Sequence, residues 1–150
     1  MSRINVKVVN QKQFNDRIKG QSAKVQSNLI RVVNLASNEV RNIAVRNILS
    51  NARTGGQVTR YNPKRTINIS SAGDYPASDT GFLANQIAVK IDAGGFGADV
   101  ISNADYSEAL EFGTIKMKAR PFMQPSAEEA KKKYRLDSIN AVNKGMKWKF

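Results

Sequence analysis

Residues 103–125 read N-A-D-Y-S-E-A-L-E-F-G-T-I-K-M-K-A-R-P-F-M-Q-P and lie between a predicted strand and a predicted helix. The stretch combines three aromatic side chains with a Gly113-Thr114 turn and a short basic segment. It ends in Pro121 and Pro125, which interrupt regular structure and fix the direction of the chain. Because a plain linker needs no such content of aromatic and turn-forming residues, we expect a structured joint here.

The composition is that of an ordinary globular protein and removes the usual catalytic parts. The chain has 150 residues, 41% hydrophobic and 24% charged, enough for one domain with a core. It contains no cysteine and no histidine, which removes disulfides, the usual zinc ligands and imidazole catalysis. The aspartates 92, 99 and 105 do not have the spacing of a calcium loop. We expect no catalytic residue, metal or cofactor, although a Ser–Lys or paired-carboxylate enzyme stays compatible with the sequence.

Two further features concern where the protein is made. No apolar run approaches the roughly 18–20 residues of a membrane span. The first ten residues also lack the long apolar centre of a signal peptide. The sequence therefore predicts a protein made in a cytoplasm that does not enter a membrane.

The net charge of +12 is unevenly distributed. Residues 1–60 carry +9, residues 61–113 carry −4 and residues 114–150 carry +7. A basic chain favours nucleic acid as a partner. Basic ends around an acidic middle also suit head-to-tail contact between identical subunits. Charge alone does not decide between these two interpretations.

Hydrophobic periodicity predicts an α+β fold with a long N-terminal amphipathic helix. Alternation over residues 3–9 indicates a strand, and a short helix is predicted over residues 11–18. The long helix covers residues 22–51, with apolar positions at Val25, Leu29, Val32, Ala36, Val40, Ile43, Ala44 and Ile48. Most of its other side is basic, with Lys24, Arg31, Arg41 and Arg46 beside the neutral Asn38. That side is either a solvated face or a contact surface for DNA or an acidic neighbour.

Two hairpins form the predicted small, mainly antiparallel sheet. The first is a projecting hairpin that pairs Gln57–Tyr61 with residues 66–71 around a turn at 62–65. Because two strands alone are marginal in water, it must pack on its own domain or reach to a neighbour. The second pairs residues 85–92 with Ala98–Ser102. Between them, Asp79 or Thr80 can cap a helical turn at residues 81–85.

The C-terminal helix is predicted to start at a capping box made by Ser126 and Glu129. It ends at residues 143–145. Residues 146–150, M-K-W-K-F, are either a frayed basic tail or a C-terminal arm that docks on a neighbour through Trp148 and Phe150.

Three short motifs occur in order around these elements. They are Pro76-Ala77-Ser78-Asp79-Thr80-Gly81-Phe82-Leu83, Tyr106-Ser107-Glu108-Ala109-Leu110-Glu111-Phe112-Gly113-Thr114, and Ala119-Arg120-Pro121-Phe122-Met123. With these motifs the chain resembles, over about residues 20–135, the tail-completion (minor tail, head–tail joining) proteins of long-tailed bacteriophages. The spacing from proline to Thr-Gly is one residue longer here than in some members. The projecting hairpin at 57–71 and the arm at 146–150 lie outside the matched motifs.

The resemblance implies a single tail-completion-like domain over residues 1–150. It further implies a structural virion protein that forms a ring, with six copies, at the head–tail junction. Its partners would be other copies of itself and neighbouring neck and tail proteins, namely the connector, the terminator and the tail tube. The basic surfaces could also contact DNA passing through the lumen. A basic, sequence-nonspecific nucleic-acid-binding protein is the alternative.

The residues expected to serve assembly lie in the joint and in the terminal arm: Tyr106, Glu111, Phe112, Gly113, Thr114, Arg120, Pro121, Phe122, Trp148 and Phe150. The aromatic side chains of the joint can belong to the core or to an interface. Glu111 and Arg120 bracket the turn and can pair within a subunit or across two. Gly113 is expected to adopt a backbone angle closed to other residues.

Overall fold

A computed structural model describes residues 23–50 and 54–145, and these contain four helices and two β-hairpins. Their order is α1 (Ala23–Ser50), β1 (Gln57–Tyr61), β2 (Lys64–Asn68), α2 (Phe82–Asn85), β3 (Ile87–Ile91), β4 (Ala98–Ser102), α3 (Ser107–Phe112) and α4 (Met123–Gly145). The hairpins β1–β2 and β3–β4 are separate antiparallel sheets. The predicted α+β fold with long first and last helices is confirmed. The predicted strand at 3–9, the helix at 11–18 and the arm at 146–150 lie outside the described residues.

Helix α1 follows the predicted amphipathic pattern, with a one-residue shift in its middle. Val33 and Ser37 are buried, whereas the expected Val32 and Ala36 are only half-buried. The hydroxyl of Ser37 donates to the Val33 carbonyl at 2.9 Å, so it is satisfied within the helix. A serine can therefore take a core position that hydrophobic periodicity does not assign to it.

Helices α1 and α4 pack side by side in opposite directions. The Asn28 amide near the start of α1 donates to the Ala141 carbonyl near the end of α4, at 3.3 Å. At the other end of the pair, Arg46 lies 3.3 Å from the Glu129 carboxylate. A small apolar cluster of Val25, Leu29 and Ala141 closes the first of these ends.

The main core lies at the other end of the helix pair, beneath the hairpin β3–β4. Its buried members come from α1, α2, both strands, the segment after β4, the residue before α4 and α4 itself: Val40, Ile43, Ala44, Ile48, Leu83, Ala84, Ile87, Val100, Ala104, Phe122, Met123 and Ala130. The second half of α1 therefore holds both the sheet and the beginning of α4.

Arg41, which was expected on the basic face of α1, instead makes a contact within the fold. Its Nε donates to the Ile87 carbonyl at 2.9 Å, and the side chain is half-buried. Ile87 is the first residue of β3, so Arg41 connects α1 to the strand. Helical periodicity placed this arginine correctly away from the apolar stripe but could not identify a backbone carbonyl 46 residues further along the chain.

The hairpin β1–β2 projects from the rest of the fold. Most of its residues are exposed, and only Val58, Thr59 and Ile67 are half-buried. Tyr61 pairs with Lys64, so the chain reverses in two residues and the predicted four-residue turn at 62–65 is wrong. The ladder continues to the tip because Asn-Pro alone reverses the chain.

One ion pair connects this hairpin to the loop before α2. The Arg65 guanidinium lies 2.8 Å from the Asp79 carboxylate, and both side chains are partly exposed. Asp79 therefore pairs with the hairpin and does not cap α2. The other candidate, Thr80, does contact the start of this helix, because its hydroxyl accepts a hydrogen bond from the Phe82 N–H at 3.3 Å, although the N-cap position itself is Gly81. The helical turn itself is confirmed.

We expect Arg65→Ala to loosen the hairpin without unfolding the protein. A partly exposed ion pair contributes about 1 kcal/mol or less, so global stability should change little. Amide exchange in β1 and β2 should become faster, while β3 and β4 keep their protection. Arg46→Ala is the matched control, because it removes an exposed ion pair that does not touch the hairpin. Equal rates of amide exchange in β1 and β2 of the two variants would show that the Arg65–Asp79 ion pair does not hold the hairpin.

Helix α4 begins at Met123, three residues before Ser126. The predicted capping box of Ser126 and Glu129 is therefore wrong. The Ser126 hydroxyl donates to the Phe122 carbonyl and lies 3.3 Å from the Tyr75 hydroxyl, so it does not cap the helix. Pro125 is accommodated because the first N–H groups of a helix have no intrahelical partner. Another residue must therefore satisfy the start of α4.

Candidate assembly site

The joint, residues 103–125, consists of α3, a connecting segment at 113–122 and the start of α4, and the connecting segment folds back along α3. A tight turn forms where Thr114 N donates to Met117 O at 2.7 Å and Met117 N donates to Thr114 O at 3.2 Å. The backbone N–H of Arg120 then donates to the Leu110 carbonyl at 2.7 Å. Pro121, half-buried, leads directly into α4. The structured joint expected from the sequence is confirmed, but the short helix α3 that begins it was not predicted.

The buried carboxylate of Glu111 satisfies the start of α4. Its Oε2 accepts hydrogen bonds from the backbone N–H of Phe122 at 2.8 Å and of Met123 at 3.0 Å. Its Oε1 accepts from the N–H of Gln124 at 2.8 Å. These donors have no partner within the helix, and a negative charge at this end also matches the helix dipole. Glu111 thus fastens α3 to the first turn of α4.

Arg120 has a different partner from the one that the sequence suggested. The sequence allows Arg120 to pair with Glu111, whereas in the structure the Arg120 Nε donates to the Ser70 carbonyl at 3.0 Å. Ser70 lies just beyond β2, at the base of the projecting hairpin. The two charged residues that bracket the turn therefore hold it to two separate parts of the fold.

Gly113 has the backbone conformation that we expected of it. Its φ is +77° and its ψ is 179°, a combination that essentially only glycine adopts. A side chain there would also collide with backbone, because a Cβ atom would lie 2.8 Å from the Met117 oxygen and 2.9 Å from the Ala119 nitrogen. The backbone turn at residues 113–117 is closed too tightly for any other residue.

The three aromatic residues of the joint have different environments. Phe122 is completely buried in the main core beside Met123. Phe112 is 67% exposed and Tyr106 is 46% exposed. Phe122 thus belongs to the core, whereas Phe112 lies on the surface.

Two further apolar residues, which the sequence analysis did not single out, are exposed near Tyr106 and Phe112. Phe82 is half exposed and its ring centroid lies 6.3 Å from that of Tyr106. Burial of the Tyr106 phenol raises its pKa above the ordinary value for tyrosine. Ile115 is fully exposed at the tip of the turn. Phe82 follows Thr80-Gly81 in a quoted motif, so its position was available as a signal, whereas nothing in the sequence marks Ile115.

A cleft of about 580 Å³ separates the projecting hairpin from the joint. Apolar side chains from both sides line it: Val58, Ile67, Ile69, Phe82, Leu83, Tyr106, Leu110 and Met117. Arg60, Arg120 and Asp79 also belong to its lining. An apolar cleft with charged residues is suited to binding a protein surface.

The described residues offer little to suggest other chemistry. Within residues 23–50 and 54–145, no group of three or more acidic side chains is placed to hold a metal ion. Over the same ranges, no helix is long and apolar enough to cross a membrane. Of the expected assembly residues, Trp148 and Phe150 lie outside the described part of the chain. What the described site offers is exposed aromatic surface held by a buried, hydrogen-bonded joint.

Comparison with known proteins adds one match. Residues 12–113 match the model of a family described as "Bacteriophage HK97-gp10, putative tail-component". The matched region is 102 of the 150 residues and includes α1, both hairpins, α2 and α3, ending at Gly113. Neither the curated proteins nor the solved structures gave a significant match.

Proposed function

We propose that this chain, which belongs to the HK97-gp10-like family of bacteriophage tail components, forms a ring of six copies at the head–tail junction of the virion. Membership of a tail-component family implies a place in the virion and a structural role. The ring, its copy number and its level in the neck come from the resemblance to tail-completion proteins. In this proposal residues 1–150 act as one domain, assembled in the host cytoplasm, and the protein works by assembly without catalysis.

The observation that carries the proposal is exposed apolar surface on a rigid joint. Phe112 and Ile115 face solvent on either side of Gly113, while Glu111 is buried and holds the joint to α4. A large apolar side chain kept in water forgoes about 2 kcal/mol of burial. Clustered exposure of this kind commonly marks a protein interface. We therefore propose subunit contacts at the joint. Further contacts at Trp148 and Phe150 are proposed from the sequence alone, because a tryptophan is rarely left in solvent.

The partners follow from this role. Copies of the chain bury the joint against one another to close the ring. The two axial faces of the ring then meet other neck and tail proteins, among them the connector, the terminator and the tail tube. Particles that lack the protein should accumulate as separate heads and tails.

Electron cryomicroscopy of phage particles that contain this protein tests the proposal. We expect a ring of six copies, into which the helix pair α1–α4 can be fitted, at the junction of head and tail. Density for the protein elsewhere in the tail, or particles that join normally without it, would exclude a head–tail joining role.

A second proposal concerns contact with DNA. Lys131, Lys132 and Arg135 are exposed on α4, and none of them forms an ion pair among the described residues. If this face contacts DNA, binding to random duplex DNA should weaken steeply as salt rises. Replacing all three by glutamine should reduce the slope of log affinity against log salt by about 2 to 3. Absence of binding at about 50 mM salt would end this interpretation.

A further inference from the structure

We propose that copies of this chain contact one another head to tail through α3. The outer ridge, defined here as Asp105, Glu108 and Phe112, of one copy would sit in the cleft between hairpin and joint of the next copy. This inference rests on the proposed self-assembly and names the two surfaces that meet. It is carried by the placement of α3, by charge and by exposed apolar area.

Helix α3 presents different residues on its two sides. Tyr106 and Leu110 are four positions apart, so they share one side, and both line the cleft. Glu108 and Phe112 are also four apart and lie about 200° around the helix from that pair. Both are exposed. One copy therefore carries the cleft on one side of α3 and the outer ridge on the opposite side.

The cleft carries an excess of positive charge. Arg60 and Arg65 stand directly opposite each other in the register of β1 and β2. Like charges in that position destabilise a hairpin unless an anion lies nearby. Asp79 pairs with Arg65 at 2.8 Å, and the described residues provide no ion pair for Arg60. Arg120, which also lines the cleft, adds a further positive charge.

The outer ridge is complementary to this cleft. Asp105, two residues before α3, is an exposed carboxylate, and the exposed Glu108 lies four positions before the exposed Phe112 on the same side of the helix. An aromatic side chain entering an apolar cleft between hairpin and joint would be desolvated, as interface hot spots are. The nearby carboxylates would approach Arg60. A second copy therefore supplies a carboxylate for Arg60 and an aromatic side chain that can pack against the apolar lining of the cleft.

The two surfaces differ, so the contact is heterologous and repeats from copy to copy. Such a contact closes into a ring when its rotation is a whole fraction of a turn. A two-fold contact would instead pair each surface with itself. This difference gives the inference a signature in mixtures of variants.

Sedimentation velocity of the full chain over a concentration series tests the interface. We expect Arg60→Glu and Phe112→Ala each to weaken self-association by about thirtyfold or more. Lys132→Glu and Leu136→Ala are the matched controls, an exposed charge reversal and a 63% exposed apolar residue, both on α4. They should associate as the unaltered chain does.

Two combinations sharpen the test. The double variant Arg60→Glu/Asp105→Arg should recover most of the association, because the charges are exchanged across the contact. A mixture of the Phe112→Ala and Arg60→Glu chains should give dimers and nothing larger, since only one intact cleft and one intact ridge remain for each pair.

Several results would overturn the inference. These are unchanged association of Arg60→Glu and Phe112→Ala, larger assemblies in the mixture, or an unaltered chain that stays monomeric at every concentration. If the chain is monomeric but the cleft variants fail to enter particles, another tail protein occupies the cleft. If rings form in particles with the cleft variants incorporated normally, the interface is wrong while the proposed function stands.

Discussion

Glu111→Ala is expected to lower the free energy of unfolding by about 4 kcal/mol. The substitution leaves three backbone N–H groups at the start of α4 without an acceptor, and two of them belong to the fully buried Phe122 and Met123. Each buried donor left unsatisfied costs about 1–3 kcal/mol. Urea unfolding followed by circular dichroism measures the loss. It should be accompanied by faster amide exchange in the first turn of α4.

The comparison of Glu111→Gln with Glu111→Ala separates acceptor geometry from side-chain volume. Glutamine fills nearly the same space but has one oxygen, and its NH₂ group would face an N–H donor. We therefore expect Glu111→Gln to lower the free energy of unfolding by at least half as much as Glu111→Ala does. Glu128→Ala, which removes an exposed glutamate on α4, should change stability by about 0.5 kcal/mol or less. If Glu111→Ala behaves like Glu128→Ala, the capping role is refuted.

The anchoring of Glu111 explains why a residue between two exposed aromatics is itself buried. Tyr106 directly precedes α3 and Phe112 ends it, and the buried side of the same helix carries Glu111 towards α4. Arg120 holds the other end of the joint to Ser70. The exposed surface is therefore carried by a backbone with little freedom, which lowers the entropy lost when a partner binds.

The parts of the fold that sequence could predict depend on local periodicity. Helix α1 and the hairpin β3–β4 follow from apolar residues at steps of three or four and of two. The existence of α4 was predicted as well, although its start was placed three residues late. In each case the signal lies within the element itself.

The parts that sequence could not predict depend on contacts between distant residues. Glu111 caps a helix that begins twelve residues later, and Arg41 binds a carbonyl 46 residues away. Phe112 and Phe122 are the same residue type ten positions apart, yet one is exposed and the other fully buried. Composition and spacing do not distinguish them, because the direction in which the joint folds back decides which one reaches the core.

Gly113→Ala is the second large effect that we expect, about 3 kcal/mol of lost stability. With φ at +77° and ψ at 179°, alanine at this position is strained by about 1–3 kcal/mol. The added Cβ would also press on Met117 O and Ala119 N, which are backbone atoms and cannot rotate away. Relief requires the turn to open, and overpacking of this kind adds about 1–3 kcal/mol.

The matched control for this glycine is Gly56→Ala. A Cβ at Gly56 would meet nothing within 4 Å, and the backbone there is not left-handed, so the change should stay within about 0.5 kcal/mol. Thermal unfolding of both variants gives the comparison. Because the hydrogen bonds between Thr114 and Met117 close the turn, opening it should also displace Ile115 and speed amide exchange at Met117. Equal stability of the two variants would mean that the joint is not constrained at Gly113, and its exposed residues would then lack the fixed position on which assembly through this surface depends.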